Sequence, residues 1–245
     1  MKVAAIIPAA GIGTRMGPAA AVSAGASRKQ FMLLEGVPVI IHTLRKFAAT
    51  PLVWRMYVAV RPEDLSSFLP YLEQEPFAGR VEIVSGGDYR QESVENCLLM
   101  VPPDTDLVAV HDAVRPFVEV SAIERAIREA QKSGAAILAI PSLDTVKQVE
   151  MHFIRGTIPR ERIVLAQTPQ VFRYELLKQA FERAAEDGFQ ATDEASLVEH
   201  LGADIVVVLG SDRNLKITKP SDLELAKFFL QLEREGKSEE LRVKS

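Results

Sequence analysis

The 245-residue chain contains a single cysteine, Cys97, so no internal disulfide can form and a reducing compartment is the expected setting. In the helical-looking stretch SVENCLLM, Cys97 reads as a small buried apolar residue rather than a reactive thiol. Positive charge is not in excess: 29 lysines and arginines stand against 33 acidic residues, a net charge of -4. That balance leaves no diffuse basic field to hold nucleic acid or an anionic membrane, so any anionic ligand must meet a local cluster of cations. Long apolar runs are also missing. The run over residues 3–10 is too short for a membrane span and is poorly flanked for a signal peptide, and an Arg- and Ser-rich transit segment is absent from the start. A cytoplasmic protein that contacts neither membrane nor nucleic acid is the expectation.

What is present is a chain 47% hydrophobic and 25% charged, enough to bury the core of one α/β domain. Short apolar runs, VAAIIP, WRMYVAV, VEIVSGG, DLVAVH, AAILAIP and DIVVVLG, read as buried strands. Amphipathic stretches alternate with them. From Val120, apolar residues recur at Ile123, Ala126, Ile127 and Ala130 along one helix face, with Gly134 as the stop, and the stretch from residue 220 to 232 follows the same spacing. Strands alternating with helices predict right-handed βαβ units and a mostly parallel sheet covered by helices on both faces, with ligands beyond the carboxyl ends of the strands.

Two stretches depart from the alternation. Residues 17–27, GPAAAVSAGAS, are small and uncharged and read as a loop. Residues 143–167 hold short β-like pieces, TVKQV and RIVLAQ, with Gly156 as the expected turn and no helix, which predicts a β-arm leaving the sheet. The domain is expected to span residues 1–235, with a flexible tail over 236–245.

Residues suited to chemistry fall at the ends of these strands. The first strand runs into Pro8-Ala9-Ala10-Gly11-Ile12-Gly13-Thr14-Arg15, where small residues let backbone amides approach a phosphate chain and Arg15 adds charge. The same loop begins like the dinucleotide signature G-x-G-x-x-G. The third glycine is replaced by Met16, and Glu35 lies in a turn-like EGV rather than in the position of a ribose-binding acid, so an NAD-dependent oxidoreductase is the weaker alternative. Arg28 and Lys29 follow the small-residue loop; as an isolated pair they would pass for solvated surface, and with Arg15 they would suit an enclosed triphosphate. His111 and Asp112 end the strand LVAV. Asp112 is placed to hold Mg²⁺ or to make a turn, while His111 reads as a satisfied structural histidine. Gly86 and Gly87 end another strand and could expose backbone to a base edge. Thr192-Asp193-Glu194 reads as a helix cap, and Lys216 sits in a strand-like stretch. Thr145, Arg160 and Thr168 would each pass alone as ordinary surface.

Taken in order, PAAGIGTRM, RKQF, SGG with RQESV, HDAVRPF, TPQVF, TDEAS and NLKITKP resemble the 2-C-methyl-D-erythritol 4-phosphate cytidylyltransferase family over nearly the whole chain. The resemblance implies a Rossmann-like nucleotidyltransferase fold and transfer of CMP from CTP to a polyol phosphate in non-mevalonate isoprenoid synthesis, with Mg²⁺ or another divalent cation. It places Ala9, Ala10, Gly11, Gly86, Gly87 and Ser93 against CTP. Arg15 and Lys29 match the family's transition-state stabilisers, Asp112 its metal- and substrate-side aspartate, and Arg160 and Lys216 the residues that position the acceptor phosphate. Thr145, Thr168 and Thr192 match its acceptor pocket. A homodimer with active sites shared through the arm is also implied. One departure stands out: the family's Pro-Lys is here Arg28-Lys29, after a lengthened Ala/Ser/Gly-rich link, which leaves open whether Arg28 shares the role of Lys29. Ribitol 5-phosphate cytidylyltransferases share the HD-x-x-RPF type of signature and remain an alternative, as does a sugar-1-phosphate nucleotidyltransferase.

Overall fold

A computed structural model describes residues 1–11 and 28–243; Arg15 and the 17–27 stretch lie outside the described residues. All six apolar runs form strands of one seven-stranded sheet. In chain order they are β1 (Val3–Pro8), β4 (Val53–Val60), β5 (Val81–Ser85), β6 (Leu107–Val110), β7 (Ala135–Pro141) and β11 (Val206–Leu209), with β2 (Leu33–Leu34) and β3 (Val37–Pro38) making a separate small hairpin. The seventh member is β10 (Val164–Arg173), which begins in the β-like piece RIVLAQ expected in the arm; its place in the sheet is an addition to the sequence reading. It lies antiparallel between β6 and β7, in the order β11-β7-β10-β6-β1-β4-β5, while every other pairing in the sheet is parallel. Its ladder with β7 breaks between Ala166 and Gln170, and Pro169, which has no amide hydrogen to give, sits in that break.

Alternation along the strands divides the core. Val3, Ala5 and Ile7 of β1 pack with α1 (Val39–Ala48), α2 (Leu65–Leu72) and α4 (Val120–Ser133). Ala4 and Ile6 pack with α3 (Arg90–Met100), α5 (Tyr174–Asp187) and α6 (Glu194–His200) on the other face. Both faces of the central strands are thus withdrawn from water, which is why these strands read as unbroken apolar runs. Gly134 ends α4 with φ of +96°, a conformation open to glycine at no steric cost. Cys97 is fully buried on α3, and burial pushes its thiol up to about 12, consistent with a structural role.

Residues 143–163 leave the sheet, whereas 164–167, expected in the arm, belong to β10 and pair with β7 through Val164, Leu165 and Ala166. β8 (Val146–Glu150) pairs with β9 (Phe153–Ile158) as a two-stranded antiparallel ribbon of its own, and the first half of β10 returns from it. The turn is not at Gly156. It falls at Met151 and His152, both with positive φ, the geometry that matches a two-residue hairpin to the strand twist, while Gly156 lies inside β9 beside the register shift. Lys216 is not in a strand either: residues 211–219 run as an irregular segment, tied to the β6 loop by Ile217 N–H donating to Val114 O at 2.9 Å. The last helix, α7 (Pro220–Val243), continues beyond residue 235 into the stretch expected as a tail.

Candidate active site

The order β5-β4-β1 on one side and β6 on the other makes the carboxyl ends of β1 and β6 the point where the chain reverses its direction of winding, the place where open α/β sheets leave a crevice. A recess of about 210 Å³ occupies it. Pro8, Ala9, Ala10 and Gly11 from the β1 loop, Lys29 and Gln30 from the following turn, Arg90 and Ser93 from α3, Asp112, Ala113 and Val114 from the β6 loop, and Lys216 line its wall.

The β1 loop is held from behind through its carbonyls. Gln30 Nε2 donates to Ala9 O at 2.5 Å and to Gly11 O at 3.2 Å, and Arg61 Nε donates to Ala10 O at 2.9 Å. Gly86 packs so closely on this loop that a Cβ there would lie 2.1 Å from Ala10 Cβ, and only glycine fits such an approach. Gly87 N–H donates to Ser93 Oγ at 3.1 Å, and that hydroxyl donates onward to Tyr89 O, so Ser93 fixes the 86–89 loop while facing the recess.

Asp112 is the hub of the opposite wall. Its Oδ1 accepts from Arg90 Nε at 3.3 Å, and its Oδ2 lies 2.8 Å from Lys216 Nζ and 3.4 Å from Arg115 Nε. Burial alone would raise this carboxyl, but the charges of Arg90 and Lys216, helped by the other hydrogen bonds, hold it well below the usual range. Arg90 reaches past Asp112 to Glu194, 2.7 Å away. Glu194 is only 1% exposed and its Oε2 has no hydrogen-bond partner among the described residues; burial pushes its carboxyl up against the pull of Arg90.

Beneath Asp112 lies a chain of neutral hydrogen bonds. Asp112 N–H donates to Thr168 Oγ1 at 3.1 Å, and Thr168 Oγ1 is 3.0 Å from His111 Nδ1. His111 Nε2 is 3.1 Å from Arg115 O, which only accepts, so the proton is on Nε2 and Thr168 donates to Nδ1. Fully buried, His111 is pushed down to about 4 by desolvation and is neutral, as the structural reading requires.

Of the residues the sequence singled out, Ala9, Ala10, Gly11, Lys29, Ser93, Asp112 and Lys216 meet in the recess, with Gly86 and Gly87 packed behind its rim and Thr168 under its floor. Thr145 and Arg160 lie exposed on the arm, where Arg160 Nη1 donates to Leu143 O, and Thr192 is exposed ahead of α6; none of the three lines the recess. Asp193 does cap α6, its Oδ1 accepting from Ser196 N–H at 3.0 Å. Arg90, Gln30, Arg61 and Glu194 were not singled out for roles, because their partners lie across the fold; Arg115 was not either, although it engages Asp112 three residues before it as well as Asn214 O. The available signal was that Gln30, Arg90, Arg115 and Glu194 lie within matched motifs, RKQF, RQESV, HDAVRPF and TDEAS.

Among the described residues no cluster of three or more His, Cys, Asp or Glu side chains could hold a metal ion. Among the described residues Asp112 is the one carboxylate lining the recess, and three cations already engage its oxygens. That donor set suits Mg²⁺ held mainly by substrate phosphate oxygens with one protein carboxylate, rather than a protein-built metal cage.

Residues 3–232 match the family model of 2-C-methyl-D-erythritol 4-phosphate cytidylyltransferase. The chain is 56% identical over 237 residues to the enzyme of that name from Solibacter usitatus, covering 95% of this chain and 97% of that protein. It is 54% identical over 236 residues to that from Acidobacterium capsulatum, covering 94% and 98%. Among solved structures, the 4-diphosphocytidyl-2C-methyl-D-erythritol synthase of Anaerococcus prevotii superposes with a TM-score of 0.81 at 28% identity, covering 94% of this chain and 96% of that one. The Thermus thermophilus cytidylyltransferase superposes at 0.75 with 34% identity, covering 94% and 100%.

Proposed function

The chain belongs to the 2-C-methyl-D-erythritol 4-phosphate cytidylyltransferase family, and from that premise we propose that it transfers CMP from CTP to 2-C-methyl-D-erythritol 4-phosphate, releasing pyrophosphate and giving CDP-methylerythritol for isoprenoid synthesis. The observation that carries the reading is one recess at the β1/β6 switch point that gathers Lys29, Arg90 and Lys216 beside a small-residue loop and a single carboxylate. Such a site is built to concentrate positive charge on phosphates.

The acceptor phosphate oxygen attacks the α-phosphorus of CTP in line, and the bond to pyrophosphate breaks with the electron pair leaving on the pyrophosphate oxygen. A phosphate monoester has its second pKa near 6, so the nucleophile is already largely dianionic at neutral pH and no side chain need take a proton. His111 is unsuited to that task in any case, with both ring nitrogens engaged in the floor. The protein's work is positioning and charge compensation. Ala9, Ala10 and Gly11 form the phosphate loop, Gly86, Gly87 and Ser93 the nucleoside side, and Lys29 with Arg15 offsets the charge that builds on the α-phosphate. Asp112 aims Lys216, and Arg90 braces Asp112. Thr168 and Thr192 serve the acceptor side, Thr168 from beneath. Mg²⁺, when bound through the triphosphate with Asp112 as the available protein oxygen, supplies further neutralisation of phosphate charge.

The arm's part in the site depends on a second chain. Met151, Phe153 and Ile154 are each about two-thirds or more exposed on a two-stranded ribbon, and such a ribbon gains independent stability only by packing on something. A homodimer in which each arm carries Arg160 and Thr145 to its partner's recess covers that surface and completes the acceptor site. The protein works in the cytoplasm, in keeping with its single buried cysteine; among the described residues no helix is long and apolar enough to cross a membrane. The deciding measurement is pyrophosphate release from CTP with 2-C-methyl-D-erythritol 4-phosphate, ribitol 5-phosphate and a sugar 1-phosphate offered in turn. Turnover with the first acceptor is expected, and turnover only with another would transfer the assignment to that substrate.

A further inference from the structure

Arg28 stands one residue before Lys29 and does not line the recess. Its guanidinium forks onto two carboxylates: Nη1 lies 2.6 Å from Asp64 Oδ2 and Nη2 lies 2.9 Å from Glu63 Oε1. The arginine side chain is 17% exposed and that of Asp64 is 13% exposed, so this pair is largely withdrawn from solvent, unlike a surface ion pair. With two acids on it, the Arg28 charge is compensated locally.

Glu63 and Asp64 belong to the turn that follows β4, and that turn begins at Arg61, which holds Ala10 O. The same short segment therefore holds both the phosphate loop, through Arg61, and the Arg28 side chain, through Glu63 and Asp64. On the far side of Lys29, Gln30 is buried and donates to Ala9 O and Gly11 O, and the Phe31 ring lies 6.0 Å from that of Phe68 on α2. Lys29 thus occupies a one-turn helix, Lys29–Phe31, pinned at both ends. A lysine has four rotatable methylenes and no preferred fork, so where its ammonium sits depends on how firmly its backbone is held.

We propose that Arg28 is a positioning residue, whose ion-pair fork with Glu63 and Asp64 fixes the Lys29 turn in the wall of the recess. It acts through Lys29 and does not share its contact with substrate. The inference rests on the cytidylyltransferase reading for its effect on rate, since a small displacement of a charge-compensating group costs turnover far more than it costs binding.

The test combines steady-state kinetics with an activity-independent probe of Lys29, its ¹³C-methyl NMR signal after reductive methylation, assigned with Lys29→Arg. Arg28→Ala is expected to lower kcat about tenfold while changing KM for CTP less than about threefold, and to shift the Lys29 signal. Arg28→Lys, which keeps charge but loses the fork, should recover part of kcat. Glu63→Ala with Asp64→Ala should reproduce the Arg28→Ala loss, and adding Arg28→Ala to that pair should change nothing more. Arg28→Gln serves where melting curves show Arg28→Ala to be poorly folded. An unmoved Lys29 signal, an unchanged kcat, or a further loss in the triple variant overturns the proposal. If the unmodified protein turns over CTP with no polyol phosphate, the functional reading fails on its own, and the NMR arm alone decides the positioning role.

Discussion

The hydroxyl of Thr168 sits 3.0 Å from His111 Nδ1 while accepting the Asp112 amide at 3.1 Å, so one side chain from β10 fixes the two consecutive residues that close β6. Replacing it by valine keeps the shape and removes both hydrogen bonds. The buried imidazole nitrogen and the Asp112 N–H then lack partners, each costing about 1–3 kcal/mol. Thr168→Val is therefore expected to lower unfolding free energy by about 2–6 kcal/mol in urea titrations and to lower kcat by releasing Asp112.

The same floor sets a pH dependence. His111 has a folded value of about 4 against an ordinary 6.5, so between these limits the unfolded chain binds the proton that the folded chain refuses. Stability is then fully present above about pH 6.5 and is lost as pH falls toward 4, by about 3 kcal/mol for this group. His42, also lowered by burial, adds to the loss, whereas Glu194, raised by burial, works in the opposite sense. The difference between the protein and His111→Asn isolates the His111 share. Urea unfolding at pH 7 and 4.5 should show a smaller loss in the variant, and equal losses would place the titration elsewhere.

Arg90, half-buried, pairs with the fully buried Glu194, and the members cannot be removed one at a time without harm. Arg90→Met leaves the Glu194 carboxylate buried and uncompensated and should cost about 3–5 kcal/mol. Adding Glu194→Leu should restore most of that stability. It should not restore kcat, because Asp112 has still lost its brace at 3.3 Å. Recovery of both together would mean that Arg90 contributes only to folding.

For Lys29, charge compensation at a pentacoordinate phosphorus predicts a loss in rate rather than in affinity. Lys29→Ala should lower kcat about a hundredfold, equivalent to about 3 kcal/mol, with a much smaller change in CTP dissociation measured by calorimetry. Equal losses in both would make Lys29 a ground-state contact.

How much of this was legible in the sequence depended on whether the determinant was local. The central apolar strands were readable because residues buried on both faces must be apolar at every position, as Val3–Pro8 shows with Val3, Ala4, Ala5, Ile6 and Ile7 all fully buried, while the edge strands β5 and β11 keep apolar runs although partly exposed. β10 was legible only at its start, in RIVLAQ, since it goes on through Gln167, Thr168, Pro169 and Gln170, polar or ring-bearing residues whose burial is compensated by partners on other segments, such as Asp193 for Gln170. Met151 and His152 hid the hairpin turn because they lack the Asn-Gly, Asp-Gly or Gly-Gly pair that marks a two-residue turn, while Gly156 nearby carried the expected signal. The choice between Arg28 and Lys29 could not be made by counting across a lengthened link. Glu63 and Asp64, which settle where Arg28 points, lie more than thirty residues downstream.

The arm yields the last expectation. If Arg160 serves the neighbour's recess, then Lys29→Ala and Arg160→Ala damage different chains of the same site. In a mixed dimer one site would carry both lesions and the other neither. Random exchange of equal amounts makes half of all dimers mixed, each with one intact site of two, so about a quarter of full activity should return. Each variant alone must be nearly inactive, and subunit exchange must be shown directly, by mass spectrometry of isotopically labelled chains refolded together. Should proven exchange restore nothing, Arg160 either serves its own chain's recess or has no part in the acceptor site. The exposed Phe153 and Ile154 offer a separate check, because their replacement by serine should weaken the dimer and depress activity in proportion to the monomer formed, as read by sedimentation at falling protein concentration.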